Sequence, residues 1–328
     1  MCFTEALSTA PVSLLVLGGI GAAVTLRYAL SLATLAFNLT LRKGTSLKKY
    51  GAGTGAWAVV TGASDGIGKE FALQLARAKF NVVLLARTES KLVSVADEIR
   101  AKHGVEARVI PFDFSSTVYS DYEKLAKSMD SLDITVLVNN VGVSHDMPTP
   151  FLEESDEMNQ RIIDVNISSI MKMTKVIAPK MVANKKGLIL NVGSFAGLLP
   201  QPMLSVYSAS KAYLLTWSQA VGRELQPLGV DVQCYSTYFV VSAMSKIRKP
   251  NALIPSAAGY VRSALASLGN PGGAPTPFTS TPYPSHAAVN WVIAHVGTAG
   301  MWLDYVYKTQ ADIRRRALKK RAREEKKE

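Results

Sequence analysis

The stretch Thr61-Gly62-Ala63-Ser64-Asp65-Gly66-Ile67-Gly68 decides the fold that this chain is expected to adopt. A short apolar run, Trp57 to Thr61, precedes it, and a segment with helical spacing, Lys69 to Ala78, follows it. Glycines let the backbone turn tightly and approach a pyrophosphate, whose charge then meets the N–H groups of a helix N-terminus. A glycine-rich turn alone also suits an ordinary tight turn. Together, the strand, turn and helix predict a dinucleotide-binding site.

Short apolar runs alternate with helix-spaced segments after a glycine-rich linker, Gly51 to Gly55. The predicted strands are Trp57 to Thr61, Asn81 to Ala86, Ala107 to Pro111, Ile134 to Asn139, Gly187 to Val192 and Val230 to Ser236. The predicted helices are Lys69 to Ala78, Ser90 to His103 and Ser120 to Asp130. This alternation is typical of an α/β fold, a doubly wound parallel sheet of the Rossmann type.

The N-terminal segment predicts a membrane anchor. Ala6 to Leu26 carries no charged residue and is about as long as a spanning helix. Glu5 and the absence of Lys or Arg before the run disfavour a cleaved signal. A second apolar run, Tyr28 to Leu41, follows Arg27. The two runs predict one long tilted helix, a span with an interfacial helix, or a hairpin. The positive-inside rule places the rest of the chain in the cytosol, because four basic residues follow: Arg42, Lys43, Lys48 and Lys49.

Composition excludes several classes of protein. The chain has 328 residues, of which 48% are apolar, so disorder of the whole is excluded. About half of its net charge of +12 lies from Arg314 onward, where nine of fifteen residues are Lys or Arg and three are Glu. This run is a solvated helix or tail, or else a membrane-surface or targeting element. It contains no aromatic residues, which disfavours nucleic-acid binding.

With Cys2 and Cys234 as the only cysteines, a disulfide framework is not expected and a reducing compartment fits.

The C-terminal part is less regular. A Pro- and Gly-rich segment, Asn270 to Pro284, precedes an apolar run from Ala287 to Leu303. That run predicts either a core helix or a membrane-apposed helix, and its setting favours membrane contact. The predicted parts are therefore a membrane anchor with a basic juxtamembrane segment (1–50), a dinucleotide-binding domain (51–245), a substrate- and membrane-associated extension (246–310) and a basic cytosolic tail (311–328).

Arg87 indicates whether the bound dinucleotide carries a 2′-hydroxyl or a 2′-phosphate. It ends the second predicted strand, about twenty residues after the glycines, where an acidic side chain would hold the ribose 2′-hydroxyl. The Arg87 guanidinium can instead pair with a 2′-phosphate, which favours NADPH/NADP+ as the cofactor. The alternative is that Arg87 is an exposed loop charge. Asp113, after the third strand, can accept a hydrogen bond from the adenine amino group, or it can form a turn.

Tyr207 and Lys211 lie four residues apart in Tyr207-Ser208-Ala209-Ser210-Lys211, hence on one face of a helix. Reduction of a ketone creates an alkoxide, which needs a proton donor, and a phenol with a pKa near 10 is a poor reversible donor at neutral pH. The Lys211 ammonium and a cationic oxidised nicotinamide would favour the phenolate. Ser194 follows the fifth strand and can hydrogen-bond the carbonyl oxygen. The set predicts carbonyl reduction with Tyr207 as the proton donor.

From Ala56 to Ser242 the chain resembles the short-chain dehydrogenase/reductase family. The resemblance rests on the glycine turn, Asn139-Asn140-Val141-Gly142, Asp164-Val165-Asn166, Ser194, and Tyr207 with Lys211. It implies that Asn166 holds a water linking Lys211 to solvent, that Asn139 stabilises the central sheet and that Lys211 binds the nicotinamide ribose. The implied catalytic residues are Tyr207, Lys211, Ser194 and Asn166. The expected cofactor-binding residues are Gly62, Ser64, Asp65, Gly66, Ile67, Gly68, Arg87, Asp113, Asn140, Tyr207, Lys211 and Val240.

One difference from the family's sequence pattern indicates a subgroup of the family. After the sixth strand the family commonly has Pro-Gly before a Val and a Thr, whereas this chain reads Thr237-Tyr238-Phe239-Val240-Val241-Ser242. Only Val240 is a candidate cofactor contact there. This variation, the N-terminal anchor and the lysine-bearing end resemble the very-long-chain 3-ketoacyl-CoA reductases, above all the fungal ones. That resemblance implies the second step of fatty-acid elongation, supply of sphingolipid precursors, an endoplasmic reticulum membrane with the catalytic domain facing the cytosol, and other elongation enzymes as partners. Family members often form homodimers.

Alternatives stay open at this stage. The loop residues Lys246, Arg248 and Lys249 can attract CoA phosphates, or they belong to an ordinary solvated loop. The same catalytic residues would serve a 17-ketosteroid or another membrane-soluble ketone. A non-catalytic membrane scaffold is a further alternative, which the intact catalytic set disfavours. Neither a metal site nor nucleic-acid binding is expected.

Overall fold

The structure, a computed structural model, describes residues 11–326 and divides into two compact units between Arg42 and Lys43. Helix α1, Val12–Thr40, makes up most of the first unit. Its 29 residues correspond to about 43 Å, more than the roughly 30 Å of a bilayer core. Among the described residues it is the one helix long and apolar enough to cross a membrane. Since α1 is continuous, these residues form no hairpin; the predicted span's first residues, 6–10, lie outside the described part.

The second unit contains a seven-stranded parallel sheet in the order β3-β2-β1-β4-β5-β6-β7. The strands are β1 Trp57–Thr61, β2 Asn81–Ala86, β3 Ala107–Pro111, β4 Ile134–Asn139, β5 Gly187–Val192, β6 Val230–Tyr235 and β7 Thr279–Ser280. The six predicted strands are confirmed, with β6 ending one residue earlier than expected. Strand β7 was not predicted, because two residues carry no readable periodicity.

Helices cover both faces of the sheet. They are α2 Gly66–Arg77, α3 Glu89–His103, α4 Tyr119–Lys127, α5 Asp156–Ile163, α6 Ser169–Ala183, α7 Ser205–Leu225, α8 Ala257–Ala266, α9 Pro284–His295 and α10 Ala299–Glu324. A π-helical turn, Asp164–Ser168, joins α5 to α6. The three predicted helices are present, although α2 begins three residues earlier and α4 ends three residues earlier than predicted.

The central strands lie inside the protein along their whole length. Every residue of β1, β4 and β5 is buried, as expected for parallel strands covered on both faces. Two apolar clusters, one on each face, surround them. The strand order reverses between β1 and β4, so the connections leaving their carboxyl ends diverge. In open parallel sheets this switch point forms the ligand-binding crevice.

The apolar run from Ala287 to Leu303 is not one helix. It is divided between α9 and α10 by a turn in which Gly297 adopts a φ of 77°, a conformation that favours glycine. Thr298 caps α10, because its side chain accepts a hydrogen bond from the Met301 amide. Ala287 is buried whereas Met301 is exposed, so neither a core helix nor a membrane-apposed helix describes the whole run. The basic run continues α10 to Glu324.

Candidate active site

The glycine turn connects β1 to α2 at the switch point. Gly62 and Gly66 adopt φ values of 64° and 57°, which L-residues with a side chain rarely adopt. A Cβ on Gly68 would overlap the Gly62 carbonyl, so only glycine lets the first turn of α2 close on the loop. The Asp65 side chain accepts a hydrogen bond from the Gly66 amide, at 2.7 Å, and caps α2. Within the same turn, Ser64 is partly exposed and Ile67 packs against the core.

Asn140 holds this turn from the end of β4. Its Nδ2 donates to the carbonyl oxygens of Thr61, at 3.0 Å, and Gly62, at 3.2 Å. The Thr61 hydroxyl accepts from the Asn140 amide, at 2.9 Å, and from the Val141 amide, at 3.0 Å. Asn140 therefore shapes the cofactor site through the backbone, and its direct contact with the cofactor stays a prediction. Thr61 was missed as a site residue, although it opens the motif.

Arg87 and Asp113 lie at the carboxyl ends of the neighbouring strands β2 and β3. Within residues 11–326, exposed Arg87 forms no hydrogen bond or ion pair, so its guanidinium is available to a ligand. Asp113 Oδ1 accepts from the Ser115 amide, at 3.0 Å, and from its hydroxyl, at 2.9 Å. The Ser115 hydrogen bonds lower the pKa of Asp113, and the nearby Arg87 charge adds to this. Asp113 thus forms a turn, which was the alternative role predicted for it. Its carboxylate lies near Arg87.

Three of the four predicted catalytic side chains, those of Ser194, Tyr207 and Lys211, come together where β5 ends and α7 begins. Lys211 Nζ lies 5.8 Å from the centroid of the Tyr207 ring and donates to the Val192 carbonyl oxygen, at 3.0 Å. The Ser194 hydroxyl lies near enough to the Tyr207 phenol to lower its pKa. A carbonyl placed in this crevice can therefore meet two hydroxyl groups at once.

Close backbone packing sets the position of Ser194. The turn that follows it, Phe195–Gly197, rests on α7 so tightly that a Cβ on Gly197 would lie 2.6 Å from the Lys211 carbonyl oxygen. The Ser208 hydroxyl donates to the Ala196 carbonyl oxygen, at 2.5 Å, and fixes the same turn to α7. Sequence reasoning missed Gly197 and Ser208, because neither carries a chemical signature.

The electrostatics of the ligand-free crevice differ from the sequence-based expectation. Burial raises the pKa of Tyr207, and the nearby Ser194 hydroxyl offsets this only in part. Burial also lowers the pKa of Lys211 to about 8, so its ammonium form is less strongly favoured than in water. The protein alone therefore keeps Tyr207 protonated, which is the state that a proton donor in reduction requires.

Asn166 lies in the π-helical turn and is fully buried. Its Nδ2 donates to the Val143 carbonyl oxygen, at 2.9 Å, and to the Ser210 hydroxyl, at 3.0 Å, and its Oδ1 accepts from the Val143 amide, at 2.8 Å. A Cβ on Gly142 would meet both Asn166 Oδ1, at 3.4 Å, and Lys211 Nζ, at 3.7 Å. Asn166 thus ties the loop after β4 to α7 beside Lys211. The water that it is expected to hold stays a prediction.

Asn139 links the two central strands to the helices behind them. Its Nδ2 donates to Asn191 Oδ1 on β5, at 2.9 Å, and to the Thr174 hydroxyl on α6, at 3.3 Å. Asn191 Nδ2 in turn donates to the Ser218 hydroxyl on α7, at 2.9 Å. This buried network fixes the position of β5 relative to α7. Strand β5 ends just before Ser194, and α7 carries Tyr207.

Residues 56–252, more than half of the chain, match the family described as short chain dehydrogenase. The chain belongs to this family. The glycine turn, Asn166, Ser194 and the Tyr207–Lys211 pair all lie within the matched residues of this short-chain dehydrogenase.

Two relatives match this short-chain dehydrogenase over nearly its whole length. A very-long-chain 3-oxoacyl-CoA reductase of Laccaria bicolor is 47% identical over 316 residues, covering 95% of this chain and 93% of the relative. A reductase of the same name from Mycosarcoma maydis is 48% identical over 315 residues, covering 94% and 90%. Among solved structures, a short-chain dehydrogenase from Sphingobium yanoikuyae in complex with NADPH has a TM-score of 0.62, with 25% identity, covering 73% of this chain and 92% of that one.

A cleft of about 750 Å³ opens beside the glycine turn of this short-chain dehydrogenase. Asp65 and Gly66 line one side, and the loop after β6 lines the other. Gly66 faces this space, because a Cβ added to it would meet only Ser242, at 3.4 Å. The cleft thus leaves room at the turn where a dinucleotide pyrophosphate would bind. Its basic lining residues are Lys69, Lys246, Arg248 and Lys320.

The loop after β6 contacts the loop after β4 across the crevice. Lys246 Nζ donates to the Asp146 carbonyl oxygen, at 2.6 Å, whereas Arg248 makes no hydrogen bond or ion pair in the described part of the chain. Lys249 does not line the cleft. Val240 is buried and its carbonyl oxygen accepts from the Ser245 hydroxyl, so its cofactor contact stays a prediction.

Helix α10 joins the two loops that border the substrate side of the crevice. Gln310 Nε2 donates to Gln201 Oε1, at 3.0 Å, behind the Ser194 turn. Arg314 donates to the Pro148 carbonyl oxygen, at 3.0 Å, and pairs with Glu153, at 2.6 Å, in the loop after β4. The sequence-based division placed a boundary between residues 310 and 311, whereas α10 runs through it without interruption, and the contact of Arg314, in the predicted tail, was not foreseen.

Proposed function

We propose that this short-chain dehydrogenase reduces very-long-chain 3-ketoacyl-CoA to 3-hydroxyacyl-CoA with NADPH. The observation that carries the reaction is the cluster of Ser194, Tyr207 and Lys211 where β5 ends and α7 begins. The substrate class is supported by the relatives named very-long-chain 3-oxoacyl-CoA reductase, which are similar over 94–95% of this chain.

NADPH, when bound, supplies the hydride that the carbonyl carbon receives. Ser194 and Tyr207 hydrogen-bond the carbonyl oxygen, so the negative charge that develops there meets two donors. Tyr207 then transfers its proton to that oxygen. Lys211, held by the Val192 carbonyl, stabilises the phenolate that remains and is placed to bind the ribose hydroxyls. Asn166 keeps Lys211 and the loop after β4 in position.

Arg87 supports the choice of NADPH over NADH. Its guanidinium is exposed at the end of β2, where the family's ribose-binding residue lies, and no acidic group competes for a 2′-hydroxyl there. The Sphingobium yanoikuyae enzyme, similar in fold and 25% identical, contains NADPH. The other proposed cofactor contacts are those predicted from the sequence, namely Gly62, Ser64, Asp65, Gly66, Ile67, Gly68, Asp113, Asn140 and Val240, together with Tyr207 and Lys211.

The proposed cellular setting is the endoplasmic reticulum membrane, where the reaction is the second step of fatty-acid elongation and contributes to sphingolipid precursors. Helix α1 serves as the anchor, and the basic residues after it favour a cytosolic catalytic unit. Residues 1–50 are the proposed anchor, 51–245 the reductase domain, 246–310 the substrate- and membrane-associated extension, and 311–328 the cytosolic tail. Other elongation enzymes and a second copy of the chain are the proposed partners.

The test is NADPH oxidation by the full-length enzyme in detergent micelles, with 3-ketopalmitoyl-CoA and a 17-ketosteroid compared under the same conditions. We expect the CoA ester to be reduced with a kcat/KM at least about a hundredfold higher, since a site built for one carbonyl substrate discriminates by several kcal/mol. Reduction of the steroid without reduction of the CoA ester would contradict the proposal.

A further inference from the structure

Aromatic rings extend outward from the catalytic serine. Phe195 follows Ser194 directly, and its ring lies 5.1 Å from that of Tyr238 in the loop after β6. The Tyr238 ring lies 4.9 Å from that of Phe239, whose side chain is 44% exposed. A row of aromatic rings therefore leads from buried Phe195, the residue after Ser194, to exposed Phe239 on the loop after β6.

Helix α10 lies near the same loop. Burial raises the pKa of Tyr238, and Tyr305 of α10 is near enough for its charge to raise it further. The Tyr305 ring contacts Trp302, with centroids 6.0 Å apart. Tyr305 is 62% exposed. We call Phe195, Tyr238, Phe239, Trp302 and Tyr305 the aromatic strip.

A buried histidine supports the strip from behind. The His286 ring lies 6.2 Å from Phe195 and 5.7 Å from Tyr238, and its Nδ1 accepts from the Tyr238 amide, at 3.4 Å. Burial lowers the pKa of His286 to about 4, so the ring is neutral at physiological pH. The inner side of the strip is thus fixed, whereas its outer side is open. An exposed apolar surface that is rigidly supported typically binds a ligand.

We propose that the aromatic strip binds the acyl chain of the substrate, starting next to the reacting carbonyl and continuing to Tyr305. The inference rests on the proposed function and names the part of the site that receives the lipid. Three observations favour this occupant. The strip begins at Ser194, its members are aromatic rather than charged, and the relatives are named for very-long-chain substrates. Helix α1 is long and apolar enough to cross a membrane, which fits a lipid-derived substrate.

The test compares chain lengths in variants of the full-length enzyme. Phe239→Ser and Tyr305→Ser each shorten the strip, and kcat/KM is measured with 3-ketostearoyl-CoA and with acetoacetyl-CoA, which has no chain to reach it. We expect the long-to-short ratio of kcat/KM to fall roughly tenfold in each variant, because a few methylene contacts are lost. Tyr307→Ser is the matched control, since Tyr307 is also an exposed tyrosine of α10 and is not part of the strip. Its ratio is expected to stay at the wild-type value.

Two results would overturn the inference while leaving the proposed function intact. One is an equal loss with both substrates in Phe239→Ser and Tyr305→Ser. The other is the same fall in Tyr307→Ser, which would indicate contact of all of α10 with the bilayer or with a second copy. A wild-type enzyme that reduces neither CoA ester would instead contradict the proposed function, and the inference with it.

A second experiment, photolabelling of the wild-type enzyme, does not depend on how well the variants fold. A long-chain 3-hydroxyacyl-CoA with a terminal photoreactive group is expected to label peptides containing Phe239 or Tyr305. Labelling confined to other elements would contradict the assignment.

Discussion

The backbone of Gly197 touches that of Lys211, and a Cβ on Gly197 would lie 2.6 Å from the Lys211 carbonyl oxygen. This contact joins the turn that carries Ser194 to the helix that carries Tyr207 and Lys211. The distance between the two catalytic hydroxyl groups therefore depends on a residue with no functional group of its own.

Gly197→Ala should separate the Ser194 turn from α7. A displacement of about 1 Å at the reacting groups lowers rates by roughly a hundredfold, so we expect kcat to fall by that order while the Kd for NADPH changes little. Steady-state kinetics and NADPH fluorescence titration would measure the two. Gly300→Ala is the control, because a Cβ there would meet only Thr298, at 4.0 Å. An unchanged kcat in Gly197→Ala would show that the contact does not set the geometry.

Arg87→Ser should reduce the preference for NADPH. Loss of charge-assisted hydrogen bonds to a 2′-phosphate is expected to lower kcat/KM for NADPH roughly a hundredfold and to leave that for NADH nearly unchanged. The ratio of the two is the measurement. Arg108→Ser, which removes an exposed arginine from β3, should leave the ratio as it is. Equal losses with both cofactors would contradict a 2′-phosphate contact.

The pH dependence should report Lys211. Because burial lowers its pKa to about 8, the side chain is cationic below that pH and loses its proton above it. We expect kcat/KM for NADPH, which reports ionisations of the free enzyme, to be level below pH 8 and to fall about tenfold per unit above it. In Lys211→Arg, activity should be lower but this fall should disappear, since a guanidinium keeps its charge. A wild-type profile that stays level past pH 10 would disprove the assignment.

Arg248→Glu should weaken binding of CoA esters. Arg248 lines the basic cleft and has no protein partner among residues 11–326, so its charge is available to a phosphate. At low ionic strength we expect KM for acetoacetyl-CoA to rise roughly fivefold, as for an exposed ion pair, without a change for a small ketone that lacks CoA. Lys249→Glu makes the same charge change outside the cleft and should have a smaller effect. Similar changes with both substrates would indicate an ordinary solvated loop.

The sheet could be predicted from the sequence because its first six strands are short runs rich in apolar residues and bounded by turns, although the edge strand β3 is mostly not buried. The catalytic set could be predicted for a related reason. Four-residue spacing on one helix and positions at strand ends are local patterns, and parallel strands bring their carboxyl ends to one edge.

Other features depend on contacts between distant parts of the chain. Helix α8 is held by the burial of Tyr260, Val261 and Ala264 against the core. Gln310 of α10 meets Gln201, 109 residues away in sequence. No local pattern indicates such pairs, so α8 was not predicted, and α10 was divided between a predicted extension and a predicted tail. Burial, which raises the pKa of Tyr207 in the protein without cofactor, is not visible in a motif either.

The central claim, that Tyr207 protonates the carbonyl oxygen, is tested most directly by Tyr207→Phe. The variant keeps the ring and loses only the acidic hydroxyl, so we expect NADPH binding and thermal stability to be nearly unchanged. Oxidation of NADPH by 3-ketostearoyl-CoA should fall by roughly a thousandfold, within the range for loss of a general acid. A Tyr207→Phe enzyme that reduces this substrate at a rate close to that of the wild type would contradict the account.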